Sequence, residues 1–292
     1  MSWAAIARKD FRDAARSKAL WGLTVLFVLF MAGFAYLFTL LQGQGQGQGQ
    51  SDAVLSSLDY VSFLMSPVAL LVPITALVIT HKSIAGEVES GSAKFLLSLP
   101  HTRRDAVVGK VVGRGSVLAA SIGVGLVAAL VVVLALYDVF DAGVFLTFAV
   151  MTVLLGFVYT GIGVGLSATT KDSGRATILA AGFFVVFEVV WGFASNALYY
   201  LVEGSFSPPF AQAADGTPYL DAPGWYFFVQ RLSPSEAFAS ATQWFTDSTA
   251  TFLPAFDTIP FYLTGWASLV ILVAWVVVVP AAGFYVFSRA DL

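Results

Sequence analysis

Apolar residues dominate this chain in six long runs, which are separated by shorter polar segments. The runs cover residues 19–41, 60–81, 112–136, 144–168, 176–202 and 265–287. A helix of about 20 apolar residues crosses the hydrocarbon core of a bilayer, so each run predicts one transmembrane helix. The second run contains Pro67 and Pro73, and we expect a kinked helix there because neighbouring helices can satisfy the carbonyls that a proline leaves free.

The first run must be distinguished from a cleaved signal peptide. The apolar region of such a peptide is only about 7–15 residues long, and a small-residue cleavage site follows it. The run 19–41 is longer, so we interpret it as the first transmembrane helix. The Gly-Gln repeat at 42–50 is polar and uncharged, which predicts a segment without regular structure.

Composition places the chain among membrane proteins and excludes several kinds of chemistry. Of its 292 residues 58% are hydrophobic and 11% charged, whereas a soluble domain has about 25% charged residues. With no cysteine and two histidines, disulfides, thiolate metal sites and cysteine nucleophiles are excluded. The sequence contains neither a GxxxxGK[ST] phosphate loop nor an HExxH metal motif. We therefore predict no catalytic residue, no metal site and no nucleic-acid partner.

Residues 1–18 predict an amphipathic helix ahead of the first span. Apolar side chains recur at three- and four-residue steps on one face, and mostly basic side chains lie on the other. Such a helix lies in the membrane surface; the alternative is an ordinary positively charged flank of the first span. The residues assigned to the surface are Trp3, Arg8, Lys9, Phe11, Arg12 and Arg16.

The distribution of charge predicts the orientation of the spans. With six spans, both termini, the connector 82–105 and the connector 169–175 fall on one side of the membrane. That side, with the flanks of its spans, holds 14 of the 15 Lys and Arg residues, whereas the other side holds Arg231 and ten of the 18 acidic residues. Basic residues are enriched on the cytoplasmic side of membrane proteins, so we predict a multi-pass protein of the cytoplasmic membrane with both termini in the cytoplasm.

Residues 203–264 form the one large extracytoplasmic loop of this arrangement. Ser233, Pro234 and Glu236 predict a capping box with proline at the first helical position, followed by a short helix to about Phe245. The loop is rich in aromatic residues, which we expect to pack at the membrane interface. The alternative is a lid over an exit path.

The connector between the second and third spans carries a mixture of charges and helix boundaries. Glu87 and Glu89 are two residues apart, so on one helix they would point to different faces. We predict that they lie at a helix end, followed by a turn at Gly91. Thr102 and Asp105 have the spacing of a helix start, and this second helix is predicted to continue into the third span.

Between these boundaries, residues 93–99 predict a short amphipathic helix. Phe95, Leu96 and Leu99 fall on one side of it, and Pro100 ends it. Apolar side chains flanked by both signs of charge indicate a surface that docks another protein. The alternative is a solvated loop.

The segment IAGEVESGSAKFLLSLPHTR, from Ile84 to Arg103, followed by Gly109-Lys110, resembles the connector signature of the type-2 ABC transporter permeases. These are the six-span membrane subunits of ATP-binding-cassette exporters. The N-terminal helix resembles their elbow helix, and the closing residues 287–292 are similar to those of many prokaryotic members. Ser92 stands where members of the family often have threonine. The chain also resembles the short six-span prokaryotic branch, which includes permeases linked to nitrous oxide reductase maturation.

The resemblance implies a transport subunit, without catalysis of its own, that forms a homodimer or heterodimer in the lipid bilayer. A separate ATPase would bind to it in two copies and would hold ATP and Mg, so no cofactor is expected in this chain. The connector would be the cytoplasmic coupling helix, which sits in a cleft of the ATPase. The residues implied to couple are Glu87, Glu89, Gly91, Phe95, Leu96, Leu97, Pro100 and Arg103. Related permeases move lipids, drugs, polysaccharides or species for metal-cofactor maturation, and the residues do not indicate which applies.

Two features inside the spans remain open. Glu188 is an acidic residue deep in the fifth run, and such residues tend to face a cavity or the interior of the bundle. It is either a pathway residue or a protonated group bonded to a neighbouring helix. Small residues also recur along the fourth run and near the third, where they favour close helix packing within the chain over a dimer contact; these are Gly156, Gly161, Gly163, Gly165, Ser167, Gly109 and Gly113.

Two alternatives to an ABC permease belong to other classes. A secondary transporter or channel would use Glu188 as an ionisable pathway residue, but it would need more ionisable residues in its spans and usually an inverted repeat. An intramembrane enzyme would need a paired acid and base or a metal motif. The sequence thus predicts an all-α integral membrane protein with six transmembrane helices, an N-terminal amphipathic elbow helix, a cytoplasmic coupling helix and one large extracytoplasmic loop.

Overall fold

The computed structural model describes residues 3–15, 17–44, 54–92, 102–212, 218–247 and 258–290, and over these residues it is almost entirely helical. Six helical segments are long and apolar enough to cross a membrane. They are span 1 (Lys18–Gln44), span 2 (Ser57–Thr80), span 3 (Arg103–Leu136), span 4 (Ala142–Ala168), span 5 and span 6 (Gly265–Ser288). Span 5 joins the α-helices Ser173–Phe184 and Trp191–Glu203 through a π-helical turn, Val185–Val190. The prediction of six spans in an all-α protein is confirmed.

Span 3 begins on the connector, at Arg103, and continues without a break to Leu136. Its start is a capping box: the Thr102 hydroxyl accepts from the Asp105 backbone N–H at 3.1 Å, and the Asp105 carboxylate accepts from the Thr102 N–H at 3.1 Å. Both bonds satisfy donors that the first turn of a helix leaves free. The predicted helix start at this pair is therefore confirmed.

Span 2 remains one helix through Pro67 and Pro73, and its N-terminal end packs beside the junction of spans 3 and 4. Leu55 O accepts from the Asp138 N–H at 3.0 Å. The Asp141 N–H donates to Ser57 Oγ at 2.9 Å. These contacts bring the segments between spans 1 and 2 and between spans 3 and 4 to the same end of the bundle.

Span 4 is the central helix and packs against spans 2, 3 and 6. Its glycines allow neighbouring helices to approach closely. A Cβ atom at Gly165 would lie 2.6 Å from the carbonyl oxygen of Val279 in span 6. A Cβ at Gly156 would lie 3.3 Å from the Leu118 side chain in span 3. The small residues of span 4 therefore pack within the chain, as the sequence predicted.

Span 5 lies at the edge of the bundle. In the most apolar window of this span 11% of the residues are buried, against 44% for span 4. Its neighbours among the described residues are spans 2 and 4, the short helix after span 2, and the helices of the segment between spans 5 and 6. Most of the surface of span 5 is consequently open to lipid or to another protein.

Within its described residues, the segment between spans 5 and 6 contains two short strands and two helices. Phe210–Gln212 pairs with Pro218–Leu220 in an antiparallel ladder. Two α-helices follow, Gly224–Arg231 and Pro234–Phe245, and a 3-10 turn, Phe261–Leu263, precedes span 6.

The helix Pro234–Phe245, termed the inserted helix, has the predicted bounds but different contacts. No capping bond forms at Ser233; its hydroxyl instead donates to Phe187 O in span 5 at 3.2 Å. The helix packs against spans 2, 4 and 6, and Phe238 is completely buried. The expectation that this segment packs on the membrane interface is wrong for this helix, because its apolar side fills the bundle.

The turn that precedes the inserted helix is held by indole donors from two spans. Trp191 Nε1 donates to Val229 O at 3.0 Å, and Trp275 Nε1 donates to Leu232 O at 3.0 Å. Val229 O also accepts from the Leu232 N–H at 3.2 Å, so the two indoles add side-chain donors from spans 5 and 6 to the carbonyls of this turn.

The N-terminal helix, Trp3–Ala15, packs along the connector-side half of span 3. Ile6 and Ala7 are buried in this contact. Gly109 and Gly113 of span 3 make room for them, since a Cβ at Gly109 would lie 2.7 Å from Ile6 Cβ and one at Gly113 would lie 3.0 Å from Ala7 O. The small residues near the third span therefore also serve intrachain packing.

Other side chains of the N-terminal helix are exposed, including those of two large aromatic residues. Of the residues predicted to lie on the membrane surface, Arg16 is outside the described residues. The other five are exposed: Trp3, Arg8, Lys9, Phe11 and Arg12. Their contact with a membrane surface stays a prediction.

Candidate functional site

A short helix, Ala85–Glu89, follows span 2 and is termed the connector helix. It ends at Ser90, and Gly91 has φ of +76°, a left-handed conformation that glycine adopts at little cost. The hydroxyls of Ser90 and Ser92 both donate to Glu87 O, at 3.3 and 3.2 Å. The predicted helix end and glycine turn are confirmed.

The start of the connector helix is fixed to span 4. The backbone N–H groups of Ile84 and Ala85 both donate to the hydroxyl of Ser167, each at 3.1 Å. Ser167 is completely buried, and Ala85 is as well. Two N–H groups of the first turn, which have no partner within the helix, thus bond to the end of a span.

Glu87 connects the connector helix to span 3. Its carboxylate lies 2.5 Å from Lys110 Nζ, and the Lys110 side chain is only 3% exposed, against 37% for Glu87. An ammonium group taken out of water without a partner is strongly unfavourable, and removing one member of a buried pair typically costs about 3–5 kcal/mol. The partial exposure of Glu87 lowers this cost, because water can solvate its carboxylate.

Glu89 contacts the start of span 5. Its carboxylate accepts from the Ser173 backbone N–H at 3.1 Å, in the first turn of the helix Ser173–Phe184. A carboxylate at this position satisfies a free N–H and interacts favourably with the helix dipole. Glu87 and Glu89 therefore do point to different neighbours, as their spacing predicted.

Arg103, at the end of the connector that leads into span 3, contacts the last turn of span 6. Its guanidinium donates to the carbonyl oxygens of Phe287 and Ala290, at 2.5 and 2.9 Å, and lies 5.4 Å from the Phe287 ring centroid. These carbonyls lie at the end of span 6, where the last carbonyls of a helix lack the N–H partner four residues ahead. The apolar cluster beneath the site joins spans 3, 4 and 6 to the connector helix through Ile84, Val107, Val164, Ala168 and Phe287.

A second pair of opposite charges, Asp10 and Arg114, lies near the pair Glu87 and Lys110. Asp10 of the N-terminal helix approaches Arg114 of span 3, with 3.9 Å between Oδ2 and Nε, and the Arg114 guanidinium also donates to Ile79 O in span 2. Burial raises the pKa of the Asp10 carboxyl above its ordinary value, while Lys110 and Arg114 act in the opposite direction. Within the described residues, Asp10 Oδ2 is buried without a hydrogen-bond partner.

The raised pKa of Asp10 predicts a pH-dependent stability. The folded state holds the proton of the Asp10 carboxyl more tightly than the unfolded state does. The contribution of this group to the free energy of unfolding is therefore fully present below the ordinary pKa of 3.8, and it is lost as the pH rises through the raised pKa of the folded state. We expect Asp10→Asn to weaken the fall in melting temperature of the detergent-solubilised protein between pH 4 and neutral pH. Asp13→Asn, which removes an exposed carboxyl of the same helix, is the matched control. A pH profile of Asp10→Asn that overlays the wild type would contradict this assignment.

A cavity of about 540 Å³ opens beside the connector helix, on the same end of the bundle. Its wall includes Val88, the turn between spans 4 and 5, and the last turn of span 6. Three of the side chains in this wall are basic, and one is acidic: Lys171, Arg175, Arg289 and Asp172. The wall of this cavity is thus predominantly positive.

The structure brings together four of the eight residues that the sequence implied to couple: Glu87, Glu89, Gly91 and Arg103. Phe95, Leu96, Leu97 and Pro100 lie outside the described residues. The sequence reasoning did not assign a role to Lys110, Arg114 or Asp10. Lys110 and Arg114 are four residues apart on one helix face, beside Gly109 and Gly113, and this spacing was the available signal.

Glu188 occupies the π-helical turn of span 5 and is bonded within the chain. Its carboxylate accepts from the Tyr159 hydroxyl of span 4 and from Ser235 Oγ of the inserted helix, the latter at 2.8 Å. Ser235 Oγ also lies 3.2 Å from Ala69 O in span 2. Glu188 borders two cavities of about 320 and 770 Å³ as well, so both interpretations of this residue keep a structural basis.

Comparison with known proteins agrees with this architecture. The model of the ABC-2 family transporter proteins matches residues 4–292. A protein of Stutzerimonas stutzeri named "Probable ABC transporter permease protein NosY" is 31% identical over 207 residues, which is 70% of this chain and 72% of that protein. The protein of the same name from Pseudomonas aeruginosa is 30% identical over 207 residues, 70% of this chain and 73% of its own.

The chain belongs to the ABC-2 family of transporter proteins. It is the permease subunit of an ABC transporter and not an enzyme, since ATP hydrolysis in such transporters takes place on a separate subunit. Membership of this family decides against the secondary transporter or channel and against the intramembrane enzyme. The family also implies an ATP-binding partner subunit and a multi-pass location in a membrane.

Proposed function

We propose that the connector between spans 2 and 3 lies in the cytoplasm and couples a separate ATPase to the spans. In this proposal Glu87, Glu89, Gly91, Arg103 and the apolar segment 93–100 form the coupling site. ATP and Mg are held by the partner. Both termini are cytoplasmic, on the side that carries most of the lysine and arginine residues.

The observation that carries the proposal is the attachment of the connector to four spans. Ser167 binds its start to span 4, Lys110 binds Glu87 to span 3, Ser173 binds Glu89 to span 5, and Arg103 binds its far end to span 6. A solvated loop would have no need of such contacts. A displacement applied to the connector would therefore pass to most of the bundle.

Coupling requires that the ATPase bind the connector with different free energies in two conformations of the permease. ATP binding to a partner shifts the spans only if the partner contacts the connector more favourably in one conformation than in the other. The connector helix is held to the spans by side chains as well as by the continuous backbone, so a partner that displaces it would change these contacts. This division of labour fits a chain whose sequence contains no phosphate loop.

We further propose that two permease chains associate along span 5. Most of this span is not packed within the chain. The cavity of about 320 Å³ beside it is bordered by the polar side chains of Glu188, Asn196 and Gln230. These side chains bond within the chain, but polar groups beside lipid hydrocarbon are unfavourable. A second permease chain, identical or homologous, would remove this face from lipid.

The test is capture of a separate ABC ATPase, taken from the same organism as the permease. The tagged permease, purified in detergent with that ATPase co-expressed, is expected to retain it, and a second, differently tagged permease chain is expected in the same complex. Leu96→Asp is expected to weaken capture at least about tenfold, the size of a loss at a central interface residue.

The matched control is Val54→Asp, which places a carboxylate on an exposed residue at the opposite end of the bundle. It is expected to leave capture unchanged. Equal capture by Leu96→Asp and wild type would overturn the coupling assignment. Labelling of Lys82→Cys from outside intact cells, in a chain that contains no other cysteine, would overturn the orientation.

A further inference from the structure

Lys110 is a buried cation at the meeting point of three elements. Its side chain is 3% exposed and extends from span 3 to the carboxylate of Glu87 in the connector helix, at 2.5 Å. Its charge also acts on Asp10 of the N-terminal helix, where it lowers the pKa that burial raises. The other charges that face this region are Arg114 of span 3 and Lys9 of the N-terminal helix.

The packing around Lys110 joins the N-terminal helix and span 3 into a single body. Gly109 and Gly113, on either side of it in the sequence, let the backbone of the N-terminal helix lie directly on span 3. Asp10 contacts this strip as well, because a Cβ at Gly113 would lie 2.9 Å from Asp10 Cβ. The N-terminal helix therefore has little freedom to move independently of span 3.

The connector helix has no comparable packing on span 3. Its start bonds to Ser167 of span 4, and its Glu89 bonds to span 5. Val88 and Val107 belong to the apolar cluster beneath it, which includes residues of three spans. The ion pair between Glu87 and Lys110 is thus the polar contact that attaches the connector helix to span 3.

We propose that Lys110 is a positioning residue: by fixing Glu87 it makes the connector helix, the N-terminal helix and span 3 move as one unit. The proposal rests on the proposed function, since a moving connector presupposes a partner that moves it. An apolar residue would fill the same space without the desolvation of an ammonium group. A buried charge at this place is therefore better explained by the contact that it specifies than by stability.

The first experiment uses the permease alone and does not depend on a partner. A spin label at Ser90→Cys, on the exposed end of the connector helix, reports its mobility in a chain that has no other cysteine. Lys110→Met keeps the length of the side chain and removes its charge. It is expected to narrow the lines of the electron paramagnetic resonance spectrum, because a connector helix without its contact to Lys110 is more mobile. Lys110→Arg is expected to retain the wild-type spectrum, and so is the control Lys82→Met, at an exposed lysine of the same connector.

The second experiment measures whether span 3 still follows the ATPase. Labels at Val131→Cys in span 3 and Leu201→Cys in span 5, both exposed, are expected to change their separation when ATP is added to the wild-type complex. In Lys110→Met the ATPase should still be captured, but the ATP-dependent change in distance should be lost. Lys110→Arg should restore it. If Lys110→Met cannot be purified as a folded chain, Lys110→Gln replaces it in both measurements.

The outcomes separate this inference from the proposed function. A wild-type chain that captures no ATPase contradicts the proposed function, while the spectra of the Ser90 label still test Lys110. Unchanged spectra in Lys110→Met and Lys110→Gln overturn the positioning role. An unchanged ATP-dependent distance in a complex that contains either variant overturns it too.

Discussion

Replacing Gly165 in span 4 by alanine is expected to lower both the yield and the melting temperature of the permease. The new Cβ would lie 2.6 Å from Val279 O and 2.9 Å from Pro280 N. Both are backbone atoms of span 6, so no side chain can rotate away, and the two helices must separate. Overpacking of this kind costs about 1–3 kcal/mol and occasionally more. Thermal unfolding in detergent, followed by tryptophan fluorescence, is the measurement.

The matched control is Gly182→Ala in span 5. A Cβ there meets nothing within 4 Å, and alanine favours a helix over glycine by roughly 1 kcal/mol. This variant should melt at or slightly above the wild-type temperature. If both variants melt alike, the close approach of spans 4 and 6 is not a determinant of stability.

Replacing Glu188 by alanine is expected to destabilise the protein through the hydroxyls that it leaves behind. Tyr159 is completely buried and Ser235 nearly so, and both donate to this carboxylate. A buried donor without a partner costs about 1–3 kcal/mol. The cost should fall toward the lower end, because Tyr159 and Ser235 lie 3.2 Å apart and can bond to each other. Melting temperature is again the measurement, with a shift of a few degrees expected.

Glu188→Gln separates the structural role of this residue from a transport role. The amide oxygen still accepts from one hydroxyl, so the melting temperature should stay closer to the wild type than that of Glu188→Ala. Once a transported compound is identified, unchanged transport by Glu188→Gln would remove the pathway interpretation. A wild-type melting temperature for Glu188→Ala would instead remove the structural one.

The features that the sequence predicted correctly depend on short-range physics. The number and positions of the spans follow from the length of apolar sequence that crosses a bilayer, and the starts at Thr102 and Pro234 follow from the chemistry of helix termini. The glycine at position 91 follows from its tolerance of positive φ. Each of these requires only neighbours within about one or two helical turns, and so a single sequence is sufficient.

The features that escaped prediction join residues distant along the chain. Arg103 contacts Phe287 and Ala290, 184 and 187 residues away, and such a contact depends on how span 6 is placed beside span 3. Ser233 has the spacing of a cap, but the carbonyl of Phe187 offers its hydroxyl a better-placed partner once the helix is inserted. Packing decides both cases, and hydropathy carries no information about which faces of two apolar helices meet.

The uninterrupted course of span 3 has a mechanical consequence. Its 34 residues amount to about 51 Å at 1.5 Å per residue, whereas the hydrocarbon core is only about 30 Å thick. The part of span 3 that exceeds this thickness extends from the membrane toward the connector as a rigid helix. A tilt of about 10° at one end would displace the other by roughly 9 Å over this length, so a small rocking at the base would be amplified across the whole thickness of the membrane.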